Sequence, residues 1–360
     1  MADALTPAEA AARFAIDSVA AVRPLPGGHI NASWRVATGA GADFLLQRLN
    51  GTVFPAPERV MENVARVTAH QAAAKFAGRG TLEPLRLVAT RDGHQWLEEA
   101  GSTWRMFAWV AGAHALQRAD SADRVREAAR AFGEFGRLLA DYDGAPLHRT
   151  IAGFHDTGRY LQLLKDAERR DRARRAGAVR AELAAVWEEQ SRAAGLSAAI
   201  AGGAVPVRIA HHDAKLSNVL FDEATGAARC VVDLDTVMPG SLLFDFGDLV
   251  RSMTSPTDED EPDPGTVGVR RELFAAVAGG FLQELRAVLT AAERQLLVAA
   301  GLAITYEQAV RFLADYLDGD RYYRVSDAEQ NLRRARTQLR LLGTLAAQRA
   351  ELERLVAGLR

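Results

Sequence analysis

The chain has 360 residues, 44 basic and 46 acidic side chains and a formal net charge of -2. That balance excludes the strong positive field that nucleic acid or an anionic membrane surface would require, and favours a small or neutral partner. A chain of this length exceeds the usual size of one compact core, so two packed lobes are expected. Cys230 is the only cysteine, which excludes an intrachain disulfide. No secretory leader pattern opens the sequence, and charges interrupt its apolar runs before the roughly 20 residues that span a bilayer. The expected location is the cytoplasm, with no membrane partner.

Residues 3–22 carry the Ala-rich spacing of a short leading helix, closed by RPLPGG. HINASWRVATGAGADFLLQRLN alternates, breaks at TGAGAD and alternates again, which predicts a hairpin with Gly27 and Gly28 at a strand-linking turn. Beyond the two prolines of FPAPERV, MENVARVTAHQAAAKFA predicts a helix with Met61, Val64, Val67 and Thr68 on one side. LRLVAT, GHQWLEE and TWRMFAWV read as strands that complete a mainly β amino-terminal lobe, residues 1–110. From residue 111 to 360 the pattern is mostly helical. Helices are expected at SADRVREAARAFGEFGRLLADY, GRYLQLLKDAERRDRARR and VRAELAAVWEEQSRAAG, and from Phe244 nearly to Arg360. The short strands VRIA, VLF and RCVVDLD interrupt them, and SPTDEDEPDPG, residues 255–265, reads as a solvated loop. The fold class is α+β.

HHDAKLSNVLF, residues 211–221, sets His211, Asp213, Lys215 and Asn218 between two short apolar strands. Such a run of polar side chains must satisfy itself or do chemistry. The order and separation of Asp, Lys and Asn match the catalytic loop of protein kinases. In that loop the Asp faces the attacking hydroxyl and takes or orients its proton, and the Asn five residues later turns back to hold magnesium. Lys215 would add positive charge beside the transferring phosphoryl group. His211 and His212 point to opposite sides of a strand end, which disfavours a shared metal ion. His211 is a candidate for direct chemistry or, preferably, for a buried ring that holds the loop.

CVVDLD supplies the further carboxylate that a kinase needs at a neighbouring strand end. Asp233 follows the apolar run twenty positions after Asp213, and Asp235 is a candidate second metal ligand. In FDFGDLVRS, Asp245, Phe246 and Gly247 come after the metal Asp and start a helix, so Asp245 is expected to cap that helix and brace the catalytic loop. Asp248 either enters the site or faces away.

With these motifs the chain resembles the aminoglycoside phosphotransferase and choline kinase superfamily, and within it the N-acetylhexosamine 1-kinases. HHDAKLSN and VVDLD carry the superfamily resemblance. The subgroup resemblance rests on LPGGHINASWRV, LLQRLN, VMENVARVT, IAGFHDT, HHDAKLSNVLFD, VVDLDTVMPGS, FDFGDLVRS and VRFLADYLDGDRYY in that order. The resemblance implies a bilobal protein-kinase-like fold with ATP and Mg2+ as cofactors. It implies Asp213 as catalytic base, Asn218 and Asp233 as magnesium ligands, and Gly27, Gly28, His29 and Asn31 in the turn over phosphates and sugar. Arg311 and Tyr322 would hold the sugar. The turn departs from the fuller G-x-G-x-x-G, and the second strand lacks the phosphate-pairing lysine. FLLQRLN offers Gln47 and Arg48 there, with Glu62 placed as the helix partner; Arg48 is either a phosphate fork or a solvent-facing residue.

Only LDTVMPGSLLF separates Asp233 from the next helix, which leaves little shelf for a peptide and favours a small hydroxyl acceptor. A cationic acceptor would want an acidic or aromatic pocket, which the run at 258–261 offers; a neutral sugar would use Arg311 and Tyr322. The expected reaction is transfer of the ATP γ-phosphoryl group to the anomeric hydroxyl of N-acetylglucosamine or N-acetylgalactosamine. Kinases of an aminoglycoside, choline, homoserine or another sugar, and a non-catalytic nucleotide-binding module, are the alternatives.

Overall fold

The structure, a computed structural model, describes residues 5–26 and 30–359. The leading helix α1 (Pro7–Ala12) is shorter than the spacing predicts, because Val19 and Val22 draw the following segment into strand β1 (Val19–Pro24). β1 pairs with β2 (Ala32–Thr38), β2 with β3 (Asp43–Arg48), and the sheet continues through β5 (Ser102–Ala108) to β4 (Leu97–Glu99), antiparallel throughout. LRLVAT forms only isolated bridges, since β4 already occupies the start of the β5 edge and leaves just the far end for Leu87.

The period of two separates the sheet faces. Val36, Leu46, Trp104 and Met106 face outward into a small cluster with Ala10, Ala11 and Phe14. Across the other face lies α2 (Pro57–Phe76), whose Val60, Met61, Val64 and Val67 join the main core of the helical lobe rather than a separate one. Asn63 locks it there, donating to the carbonyls of His148 at 2.8 Å and Val237 at 3.0 Å. The two lobes therefore share apolar packing through α2.

The second lobe begins with β6 (Ala113–Ala115), α3 (Ala122–Leu139), α4 (Thr157–Arg170) and α5 (Arg180–Ala201). Next come β7 (Arg208–Ala210), β8 (Val219–Asp222), β9 (Ala228–Val231) and β10 (Met238–Gly240). It closes with α6 (Leu242–Met253), α7 (Arg271–Leu285), α8 (Ala291–Gln295), α9 (Leu297–Asp318) and α10 (Gln330–Gly358). β6, β8 and β9 form one small antiparallel sheet and β7 pairs with β10. The molecule thus has the bilobal α+β architecture of a kinase, with the loop from β7 to β8 and the turn after β9 facing the sheet lobe.

Helix α9 corrects one expectation: by length and composition it is long and apolar enough to cross a membrane. It is instead the central helix of the lobe, 83% buried over that stretch by its neighbours.

Candidate active site

The catalytic loop is fixed from below by one carboxylate. The backbone N–H groups of His211 and His212 donate to Asp245 Oδ2 at 2.9 Å and Oδ1 at 2.7 Å. Asp245 is fully buried, and burial pushes its pKa up to about 7 against the lowering effect of those two donors. It braces the loop, but the cap of α6 is Ser241, whose hydroxyl accepts from the Leu243 N–H at 3.2 Å.

His211 is corrected from a catalytic candidate to a positioning residue. Its ring is buried edge-on to Phe132 and Phe135, and Nε2–H donates to the Val232 carbonyl at 3.0 Å. Burial pushes its pKa down to about 4, so the ring is the neutral tautomer that this bond requires. The bond spans the catalytic loop and the segment leading to Asp233. His212, at φ +66, turns the chain upward.

Above this base, Lys215 Nζ lies 2.8 Å from Asp213 Oδ2, and Asn218 Nδ2 donates at 2.9 Å to both that oxygen and the Asp213 backbone carbonyl. Burial works to raise the Asp213 pKa, but the ammonium of Lys215 overrides it and holds the carboxylate well below its usual range. Asp213 Oδ1 accepts no bond from the described residues, which leaves an ionised oxygen open for a substrate hydroxyl.

Asp233 follows β9 in the left-handed region, at φ +63 and ψ 59. That conformation is uncommon outside glycine and turns the side chain out of the strand direction. The residue is exposed, and its carboxylate makes no hydrogen bond or ion pair among the described residues. Even so its pKa is raised, by the protein around it and then by the neighbouring Asp235 and Asp213 carboxylates. An unpaired carboxylate repelled by two others fits a divalent cation. Asn218 Oδ1 and Asp233 are hard oxygen donors, and Mg2+ takes one or two protein carboxylates with phosphate oxygens and water completing its shell.

Asp235 does not join that donor set. It is buried, ion-paired with Arg105 of β5, and accepts from Asn31 Nδ2 at 2.6 Å. Asn31 Oδ1 in turn accepts from the Asn50 N–H at 3.0 Å, so Asn31 is a strap between segments rather than a free sugar ligand. Arg105 also donates from Nε to Gln47 Oε1 at 3.0 Å. Arg48 is exposed beside the Trp104 ring, 5.6 Å from its centroid. Glu62 pairs with Arg66 and His148 at 2.7 Å each rather than with Arg48. The cation that ties the sheet to the segment carrying Asp233 is therefore Arg105, not Arg48, and its partner is Asp235, not Glu62. A charge on the inward face of TWRMFAWV is the sequence signal for it. Gly27, Gly28 and His29 lie outside the described residues.

Asp213 and Lys215 stand at one side of a cavity of about 230 Å3, the size for a small metabolite rather than a peptide. Arg311 of α9 lies in its wall inside an aromatic cage, with its guanidinium 5.0 Å from the Tyr160 ring, 5.2 Å from Phe154, 5.7 Å from Tyr323 and 5.9 Å from Tyr322. It donates to Gln308 Oε1 at 3.1 Å and has no ion pair with a carboxylate among the described residues. Tyr322 lines the same cavity, half exposed, with its backbone N–H tied to Asp315 at 2.8 Å.

Asp248 also lines the cavity, 2.9 Å from Arg251 Nε, and burial raises its pKa. Arg251 Nη1 continues to Glu259 at 2.7 Å, and Glu259 lies 3.8 Å from Arg334 of α10. Asp260 accepts from Gln330 Nε2 at 2.7 Å. The acidic run is exposed along much of its length, as a solvated loop is, but Glu259 meets Arg251 and Arg334, Asp258 meets Arg118, and these two residues line one side of the pocket. Arg251 and Arg334 were not singled out from the sequence; Asp248 and Arg251, three apart on one helix face, carried the available signal. Behind the pocket, buried His155 pairs with Glu307 at 2.9 Å and stacks on Phe244, features also unmarked by spacing.

The family described as the phosphotransferase enzyme family (APH) matches residues 21–267. Among solved structures, the chain is similar to a microcompartment-associated aminopropanol kinase: 17% identity, TM-score 0.64, covering 98% of this chain and 97% of that one. It is similar to an aminoglycoside phosphotransferase from Alicyclobacillus acidocaldarius at 16% identity and TM-score 0.57, covering 98% of each chain. Similarity also extends to the amicoumacin kinase hAmiN in complex with AMP-PNP, Ca2+ and Ami, at 12% identity and TM-score 0.59, covering 92% and 91%. At these identities the likeness establishes a shared fold.

Proposed function

Since the chain belongs to the phosphotransferase enzyme family, we propose that it is an ATP- and Mg2+-dependent kinase whose acceptor is the anomeric hydroxyl of an N-acetylhexosamine. The product is the sugar 1-phosphate. The observation that carries the choice of acceptor is the charge pairing in the pocket. Each acidic residue in its wall already has a cation: Asp213 has Lys215, Asp248 and Glu259 have Arg251, and Asp258 has Arg118 at 3.9 Å. Arg311 is left over without an ion-paired carboxylate among the described residues. Aminopropanol and aminoglycosides, named for the neighbours, carry amines. Among the described residues of this wall no carboxylate is unpaired for an ammonium group, whereas a neutral polyol meets guanidinium donors and tyrosine rings. The finer choice of an N-acetylated sugar rests on the sequence resemblance.

Bound nucleotide with its metal supplies an electrophilic γ-phosphoryl group whose charge is partly neutralised. Asn218 Oδ1 and Asp233 would hold that metal. Asp213 Oδ1 accepts a hydrogen bond from the acceptor hydroxyl, orients its lone pair, and receives the proton as the new P–O bond forms and the γ-phosphorus bond to the bridging oxygen breaks, releasing ADP. Lys215 keeps Asp213 ionised until then and adds positive charge next to the reacting group. Most of the acceleration comes from holding the acceptor in line in a closed pocket.

The test is a coupled ADP-release assay with ATP and Mg2+ against N-acetylglucosamine, N-acetylgalactosamine, glucosamine, choline, homoserine and kanamycin. Turnover led by an N-acetylated sugar is expected. Turnover confined to the amine-bearing compounds would retain the kinase and discard the neutral-sugar pocket.

A further inference from the structure

α10 passes along the pocket wall and presents Thr337, Gln338 and Leu341 to it, with Phe312 of α9 alongside. Thr337 and Gln338 are 3% and 2% exposed. Neither Thr337 Oγ1 nor Gln338 Oε1 has a hydrogen-bond partner among the described residues. Folded proteins leave few buried polar groups unpaired, and two adjacent residues doing so in the wall of one cavity require a reason. Gln308, in the same wall, shows the contrast. Its Nε2 donates to Tyr323 Oη at 3.0 Å and its Oε1 accepts from Arg311 at 3.1 Å, so both ends of that amide are used. Gln338 Oε1 is a spare acceptor.

A ligand that would satisfy this end of the pocket must bring a donor and an acceptor close together, with an apolar group for Phe312 and Leu341. A secondary amide does so. We propose that Thr337 and Gln338 form the subsite that reads the acylamino substituent of the acceptor. Gln338 Oε1 accepts the ligand's amide N–H, and the Thr337 hydroxyl, able to donate, takes its carbonyl. The acyl methyl lies against Phe312 and Leu341. A ring hydroxyl in place of the acylamino group leaves one of these polar groups unpaired, which is how a site of this kind discriminates. This inference rests on the N-acetylhexosamine reading above and assigns its selectivity to α10.

The experiment compares kcat/KM for N-acetylglucosamine and glucose in the wild type and in Gln338→Met, a near-isosteric apolar replacement. The N-acetyl preference should fall at least tenfold, expressed mainly in KM for the N-acetylated sugar. The unliganded variant should melt at the wild-type temperature or above it, because the replacement removes an unpaired buried polar group. The upward melting shift that N-acetylglucosamine gives the wild type should shrink. An unchanged preference in a folded, active Gln338→Met enzyme overturns the subsite and leaves the functional reading standing. A wild type that turns over other acceptors but no N-acetylated sugar overturns both. Should Gln338→Met fail to fold, Thr337→Val reads the same ratio with the same expected loss.

Discussion

Arg105 on β5 and Asp235 on the turn after β9 form a buried ion pair that joins the sheet lobe to the segment carrying Asp233. Their side chains are 2% and 3% exposed, so desolvation offsets much of their attraction, and breaking the pair on one side strands a buried charge. Arg105→Met should destabilise the protein by about 3–5 kcal/mol in a urea titration. Adding Asp235→Asn should recover part of that loss, because the two residues share one interaction. Additive losses would show that the two side chains are not coupled.

Asp213→Asn removes the proton acceptor while keeping the side chain's shape. Turnover should fall by roughly 10²–10⁴, the usual range for a general base. Nucleotide affinity in Mg2+, measured by calorimetry, should stay within a few-fold of the wild type. An unaltered kcat would remove Asp213 from the chemistry.

Asp245 gives a pH dependence with a definite sign. Its folded pKa is raised to about 7 from an ordinary value near 4, so the folded state holds a proton that the unfolded chain has released between those values. The stabilisation from that proton is fully present below about pH 4 and lost as pH rises through about 7. Asp248 and His155, the charged neighbours of Asp245, are common to wild type and variant. The stability of the wild type relative to Asp245→Asn should therefore fall across this window, by at most about 1.4 kcal/mol per pH unit. A difference that stays flat from pH 4 to 7 would mean that Asp245 is ionised throughout.

Glu259 closes the acidic run over the pocket through Arg251 and Arg334. Glu259→Gln should raise KM for the acceptor several-fold and leave KM for ATP near the wild-type value. It should also speed proteolytic cutting within residues 255–265. Equal changes in both KM values would place the loop's influence on the cleft as a whole.

What the sequence revealed was the local chemistry. Asp213, Lys215 and Asn218 lie within six residues, so a single turn gathers them, and Asp233 returns one hairpin later; spacing alone made that group legible. Long-range partners were not legible. Arg105 meets Asp235 across 130 positions and Asn31 meets it across 204, and neither spacing is a period of helix or strand. Arg48 was the nearer basic residue, but strand register decides which side chain faces inward, and a single position separates Arg48 from Gln47. The leading helix was overestimated because alanine fits both α1 and the strand that follows, and pairing with β2 settles the matter. The hold on Glu259 was not legible because Arg334 lies on α10, far along the chain, and Arg251, eight positions before it, meets it only where the loop folds back over α6.

The most direct test of the central claim is phosphorus NMR of the product formed from ATP, Mg2+ and an N-acetylhexosamine. A phosphorus resonance correlated with the anomeric proton, absent when Asp213→Asn replaces the wild type, is the predicted result. Phosphorus on another carbon of the sugar, or inorganic phosphate as the only product, would contradict the assignment of this pocket to the anomeric hydroxyl.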